Sequence, residues 1–266
     1  MTDEELAWAT VRYRVRFEEC TPEGTLRAAA YLRYAQDAAW INSERLGYDR
    51  AWYARRRIGW LVRGIRLVIL EPSRTGDELS VTTRVVGYRR VWARRRTDVH
   101  GTDGRLVAWA YTDWVMTDAR GLPTRVPPEF PARFSAPPGT FIPTKVTLQP
   151  APGSAAVLRS VVRPHELDPM GHANNAAYLE WVDEAVAALD PASTTLVPRR
   201  YRLEYLIPVP PGTRLVSTTW PDGDGISYRL TDEAGIECFR ARLESATTTA
   251  QEGDDRESKA AGMRAG

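Results

Sequence analysis

The sequence predicts an α+β fold made of two tandem domains. Each domain is an antiparallel sheet wrapped on a central helix, and the two pack together as a pseudo-dimer. Three observations predict it. First, a long helical pattern early in each half is followed by consecutive strand-like runs. Second, EECTPEGTLRAAAYLRYAQDAA, from Glu19, recurs as ELDPMGHANNAAYLEWVDEAV, from Glu166. At an offset of 147 this matches Pro22 with Pro169, Gly24 with Gly171, Ala29-Ala30-Tyr31-Leu32 with Ala176-Ala177-Tyr178-Leu179, and Tyr34 with Trp181. Third, IRLVILEPSRTGDEL recurs as YRLEYLIPVPPGTRL at an offset of 136, matching Arg66 with Arg202, Leu67 with Leu203, Pro72 with Pro208 and Gly76 with Gly212. Two matches in the same order argue against chance. The smaller second offset gives the first copy a longer loop after its helix.

In chain order, VRYRVRFEEC (11–20) alternates apolar and charged residues as a half-buried strand does. T-P-E-G at 21–24 is a turn. Residues 26–46 are rich in Ala, Leu and Arg at helical spacing, with Gly47 placed as a C-cap. Residues 48–57 read as irregular or as a short helix. Strands follow at 58–70, 78–89, 91–100 and 105–117, separated by P-S-R-T-G-D and G-T-D-G turns. Nine prolines between Pro123 and Pro152, with no apolar period, mark an extended linker or surface-hugging crossover. The pattern then restarts: a strand at 156–163, a turn and helix within 165–189, strands at 199–207 and 213–220, and a hairpin over 225–245. The division expected is a first domain at 1–126, a linker at 127–155, a second domain at 156–245, and a polar, disordered tail at 246–266.

Composition narrows the function classes. A formal net charge of +2 carries no bulk polyelectrolyte signal for nucleic acid. Lysine occurs only at Lys145 and Lys259, so the cations are almost all Arg, a bias read as codon usage. Two cysteines far apart, Cys20 and Cys238, match no metal spacing and fit a reducing cytoplasm. The acidic start, MTDEELAWAT, lacks a signal-peptide core, and no run of apolar residues reaches membrane-spanning length.

The chemistry concentrates in HELDPMGHANNAAYLEWVDEAVAAL (165–189), where Asp168 and His172 stand four apart in a Pro/Gly turn before a buried helical pattern. The repeat acts as an internal control. The first copy keeps the Pro, the Gly and the Ala-Ala-Tyr-Leu run but has Thr21 and Thr25 where the second has Asp168 and His172. A structural helix cap is served by Thr or Asp alike; a general base is not. The second copy is therefore read as the chemical half and the first as degenerate. The competing reading makes Asp168 a helix cap with Pro169 at the first helical position, and His172 a surface His.

These residues resemble those of hot-dog-fold thioesterases. Asp168-x-x-Gly171-His172-x-Asn174-Asn175-x-x-Tyr178 is similar to the turn of acyl-CoA thioesterases related to 4-hydroxybenzoyl-CoA thioesterase. RIGWLVRGIRLVILEPSRTGDELSV and AWAYTDWVMTD in the first half resemble acyl-acyl carrier protein thioesterases, which are tandem hot dogs with the chemistry in the second copy. The resemblance spans roughly 11–245. It implies a cofactor-free, metal-free cytoplasmic hydrolase releasing a fatty acid from acyl carrier protein or from CoA. Asp168 is general base or nucleophile, and His172 orients water or substrate. N–H groups near Gly171, Asn174 and Asn175 hold the carbonyl oxygen, with Asn174 and Asn175 equally suited to bonding His172 or satisfying the helix start. Trp60 and Tyr178 are substrate-binding candidates, Trp60 being equally readable as an ordinary core residue. Met170, Pro208 and Val209 depart from the carrier-protein family, which carries Asn, an acid and Cys there. Those departures keep a non-catalytic acyl-thioester binding protein in view; hydratase chemistry is a weaker third. Glu204 reads as exposed before it reads as catalytic, and both cysteines as small core residues. The runs Arg55-Arg56-Arg57, Arg89-Arg90 and Arg94-Arg95-Arg96 read either as solvated strand faces or as a landing surface for an acidic carrier or for CoA phosphates. The tandem unit is compatible with further homodimerisation.

Overall fold

The computed structural model describes residues 7–136 and 141–245. The expectation for 246–266, and that for 137–140 of the linker, lie outside these residues. Among the described residues ten strands form one antiparallel sheet: β1 (Trp8–Arg14), β2 (Ile58–Ile69), β3 (Glu78–Arg89), β4 (Trp92–His100), β5 (Leu106–Asp118), β6 (Ala156–Val161), β7 (Arg199–Tyr205), β8 (Arg214–Asp222), β9 (Gly225–Asp232) and β10 (Glu237–Ser245). Their spatial order is β1-β3-β4-β5-β2-β7-β10-β9-β8-β6, which reads the same in each half from edge to centre.

A pseudo-two-fold axis crosses the middle of the sheet. β2 and β7 pair from Gly64 opposite Glu204 to Ile69 opposite Arg199, with Arg66 facing Arg202. Arg66 and Arg202 are the repeat equivalents, so the sequence repeat and the strand register share one centre. Helices α1 (Ala28–Arg45) and α4 (Asn175–Leu189) lie against each other under the sheet. There Arg33 Nη2 meets Glu180 Oε1 at 2.8 Å. These two residues are also repeat equivalents, so the axis passes between them.

Both halves share one apolar core, in which Leu26, Tyr31 and Leu67 meet Tyr178, Leu203 and Phe239. Burying each such side chain contributes roughly 1.5–3 kcal/mol. Ala29, Ala30 and Ala38 are fully or almost fully buried, and their small side chains let α1 lie close to the sheet. Gly47, at φ +88°, takes the left-handed conformation that ends α1. The open stretch at 48–57 contains α2 (Arg50–Arg56), capped by Asp49, whose Oδ1 accepts the Trp52 N–H at 2.6 Å. β1 starts earlier than the alternation predicts and ends at Arg14. Beyond it a 3-10 turn (Phe17–Glu19) forms, because the Glu19 carboxylate accepts the Arg16 N–H at 3.1 Å.

The described part of the Pro-rich segment forms one helical turn, α3 (Glu129–Arg133), where Phe130 and Phe134 enter a second cluster with Tyr48 and Met116. From Ile142 onward the segment straps the sheet. Arg94 Nη2 donates to the Ile142 carbonyl at 2.8 Å. The Thr144 N–H donates to Asp113 Oδ2 at 2.7 Å, and the Val146 N–H to Glu204 Oε2 at 2.9 Å. The strap crosses β2 at Gly64, where a Cβ would fall 2.8 Å from Thr144 Cβ; only glycine fits. Among the described residues no helix is long and apolar enough to cross a membrane.

Candidate active site

The same backbone turn is built in each half. In the second, the Asp168 N–H donates to the His172 carbonyl at 2.9 Å, Gly171 to Asp168 at 3.0 Å, and Asn174 to Glu166 at 2.8 Å. In the first, Thr21 donates to Thr25 at 2.8 Å, Gly24 to Thr21 at 2.9 Å, and Arg27 to Glu19 at 3.0 Å. Gly24 and Gly171 have φ of +76° and +83°, which explains why both copies keep glycine there. Glu166 accepts from Trp181 Nε1 at 2.9 Å; its counterpart Glu19 accepts from the Tyr34 hydroxyl. The scaffold therefore forms equally well with Thr21 and Thr25 as with Asp168 and His172. The ionisable pair is not what builds it.

Asp168 does not cap α4. Asn174 does, its Oδ1 accepting the Ala176 N–H at 2.9 Å. Asp168 Oδ1 instead accepts the Met170 N–H at 2.8 Å, closing the turn locally. Its other oxygen, Oδ2, lies 3.7 Å from His172 Nδ1. The Asp168 side chain is 8% exposed and that of His172 20%, so the pair is screened from bulk water but still reachable. A separation of 3.7 Å exceeds a hydrogen bond and closes with a small rotation or one bridging water. The expected oxyanion donors of Gly171 and Asn174 are engaged within the turn. At the first helical position Asn175, like any residue there, has an N–H with no partner inside the helix.

His172 lines a narrow cleft between the halves, whose free space of about 10 Å3 is room for about one water. Leu61, Val62 and Arg63 of β2 form one wall; His172, Asn175, Tyr178 and Pro208 form the other. Pro208 thus stands beside His172, where the resembling family carries an acid. The Tyr178 hydroxyl accepts the Val209 N–H at 3.2 Å, and burial raises its pKa well above the usual range, keeping it a neutral phenol. Trp181, Tyr205 and Phe239 pack against its ring.

Trp60 lies outside this cleft. It packs in the cluster with Phe130, and its Nε1 donates to Tyr53 Oη at 3.2 Å. Glu204 is neither freely exposed nor at the cleft wall, since it holds the Val146 N–H. Cys20 and Cys238 are buried free thiols. Burial pushes the Cys238 thiol up, away from thiolate character. Arg94–96 is no docking run. Arg94 grips Asp113 with bonds of 2.7 and 2.9 Å, Arg95 is buried against Asn42 Oδ1 at 2.9 Å, and Arg96 binds Asp98 at 2.7 Å. Arg55, Arg56, Arg57, Arg89 and Arg90 are exposed. They flank one end of the sheet, because the starts of β2 and β4 both pair with the end of β5. Among the described residues no three His, Cys, Asp or Glu side chains converge as a metal centre requires. Arg63 was not singled out from sequence. The signal was present, since at an offset of 136 it falls on Arg199.

Family models match residues 8–134 as an acyl-ACP thioesterase N-terminal domain and 152–249 as an acyl-ACP thioesterase C-terminal domain. Three solved structures share the fold. A candidate oleoyl thioesterase from Lactobacillus plantarum has TM-score 0.79 and 18% identity, covering 90% of this chain and 97% of its own. An acyl-ACP thioesterase from Bacteroides thetaiotaomicron has TM-score 0.77 and 15% identity, with coverages of 92% and 99%. A 12:0-ACP thioesterase from Umbellularia californica has TM-score 0.75 and 19% identity, with coverages of 90% and 96%. No curated protein sequence matches the chain significantly.

Proposed function

The chain belongs to the acyl-ACP thioesterase family and is a tandem hot-dog thioester hydrolase acting on fatty acyl thioesters, and from that premise we propose that Asp168 and His172 perform the hydrolysis, on acyl groups carried by acyl carrier protein in the cytoplasm. One observation carries this reading: the two halves build the same turn, and only the half facing the cleft with His172 has an ionisable pair on it.

Asp168 is the general base. His172 and Asp168 hold a water between them, and Asp168 takes its proton as the oxygen attacks the thioester carbon. The oxygen that gains charge is met by the Asn175 N–H at the positive end of α4, with the Tyr178 hydroxyl as a further neutral donor. The intermediate collapses by expelling the pantetheine thiolate, which takes up the proton, leaving a free fatty acid.

The carrier is argued from charge. Arg55, Arg57, Arg89 and Arg90 are exposed around the start of β2, beside Arg56, which pairs with Glu129 at 3.2 Å, and a Cβ on Gly59 in that strand would lie 3.7 Å from Met170 in the catalytic turn. An acidic carrier landing there delivers its arm toward the cleft. The test is hydrolysis of matched acyl chains on acyl carrier protein and on CoA, at low and high salt, with Asp168→Asn alongside. The expected result is carrier preference, weakening with salt, and loss of turnover by about 10²–10⁴-fold in the variant. Full turnover in a folded Asp168→Asn protein removes the base. Equal use of CoA at every salt concentration removes the carrier assignment.

A further inference from the structure

β2 carries a bulge in its pairing with β5: Val62 lies opposite Trp114 and Gly64 opposite Asp113, leaving Arg63 as the extra residue. The bulge reverses the parity of the strand. Ile65, Leu67 and Ile69 enter the core after it, whereas Trp60 and Val62 enter apolar clusters before it. Bulges re-aim side chains beside functional sites, and this one brings Arg63 to the cleft that also contains His172, Asn175 and Tyr178.

The surroundings of Arg63 are unusual for a cation. Its Nη1 donates to the Leu206 carbonyl at 2.7 Å. Among the described residues no carboxylate lies within ion-pair distance. The acid that acts on it, Glu204, is engaged with the Val146 N–H. Partial burial lowers its pKa, and the opposing pull of Glu204 does not offset the lost water. A guanidinium has five donors in a planar fork matched to a carboxylate, and one bond to a carbonyl leaves most of them to offer. The counterpart in the degenerate half, Arg199, is 4% exposed, donates to the Leu196 carbonyl and stacks on Tyr201.

We propose that Arg63 is the carboxylate-recognising group of the active cleft, supplied by the first half to the second and holding the head of the released fatty acid. The assignment rests on the fatty-acyl reading above and deepens it. It makes the cleft a composite site, lined by the imidazole of His172 from one repeat, with Asp168 3.7 Å behind it, and by a cation from the other. It also gives the product a grip that the uncharged thioester lacks, so the free acid competes with substrate.

The test is binding, separate from turnover. Dodecanoate, palmitate and the corresponding alcohols are titrated against the intact protein at a pH where the acids are ionised, following tryptophan fluorescence. Arg63→Gln keeps a donor for the Leu206 carbonyl and removes the charge; Arg63→Lys keeps the charge. Thermal midpoints show whether each variant folds. Wild type is expected to prefer acid over alcohol. Arg63→Gln should lose about tenfold or more in acid affinity with alcohol affinity unchanged, and Arg63→Lys should fall between. Undiminished acid binding in Arg63→Gln overturns the proposal. So does equal loss of acid and alcohol, which means Arg63 only straps the Leu206 loop. A wild type that hydrolyses thioesters without preferring the acid overturns the Arg63 role and leaves the hydrolase reading standing. Absence of both turnover and chain binding removes the fatty-acyl reading itself.

Discussion

Asp183 on α4 faces the centre of the sheet and accepts a hydrogen bond from Tyr201 Oη at 2.8 Å. Burial, the largest influence, raises its pKa from the ordinary 3.8 to about 6, against the opposing pull of that hydrogen bond and of Arg199. The folded state therefore holds its proton more tightly than the unfolded chain does. The stability linked to that proton is fully present below about pH 4 and is lost as pH rises through about 6. A shift of about two units is worth about 3 kcal/mol, an upper bound because part of the residue meets solvent. Asn keeps an acceptor for Tyr201 and cannot ionise. Asp183→Asn should therefore be about 1–3 kcal/mol more stable than wild type near pH 7, which is roughly 3–10 °C in Tm for a chain of this length. The two should converge near pH 4. Urea unfolding across a pH series measures both quantities. An Asp183→Asn protein no more stable near pH 7, with an unaltered pH slope, would refute the reasoning.

Three other outcomes follow from the same geometry. Gly64→Ala places a Cβ 2.8 Å from Thr144 Cβ and 2.9 Å from its carbonyl oxygen; it should cost about 1–3 kcal/mol in denaturant unfolding. Asp113→Asn weakens the fully buried anchor of Arg94 and of the Thr144 N–H; a loss of about 3 kcal/mol in the same assay is expected. Arg33→Glu sets two carboxylates against each other between α1 and α4. It should lower stability by no more than about 1 kcal/mol in low salt, and adding Glu180→Arg should restore it.

Most of the fold was legible because its signals are local. The spacing of Ala28, Leu32 and Ala35, and the alternation through β3, β4 and β10, depend on neighbours within a few residues. The repeat then pointed to two copies of one fold, and the strand order of one half is indeed that of the other. What escaped depends on partners distant in sequence. Arg95 reads as one more surface cation in an Arg run, until Asn42 from α1 is placed against it. Arg63 reads as an interruption of an apolar strand, and the break in parity between Val62 and Ile65 acquires meaning only opposite β5. At the site, Asp168 and His172 stood out because the first copy lacks them. Assigning the helix cap to Asn174, not Asp168, required the observed helix start.

The Arg33–Glu180 contact has a consequence in terms of inheritance. In a symmetric pair of identical chains, a position on the two-fold axis is specified by one codon, so whatever side chain it encodes must face itself. Arg would meet Arg there, or Glu would meet Glu. A duplicated and fused gene writes that point in space twice. Selection can then place a cation on one side and an anion on the other, as it has here. The same freedom lets one copy carry Asp168 and His172 where the other carries Thr21 and Thr25.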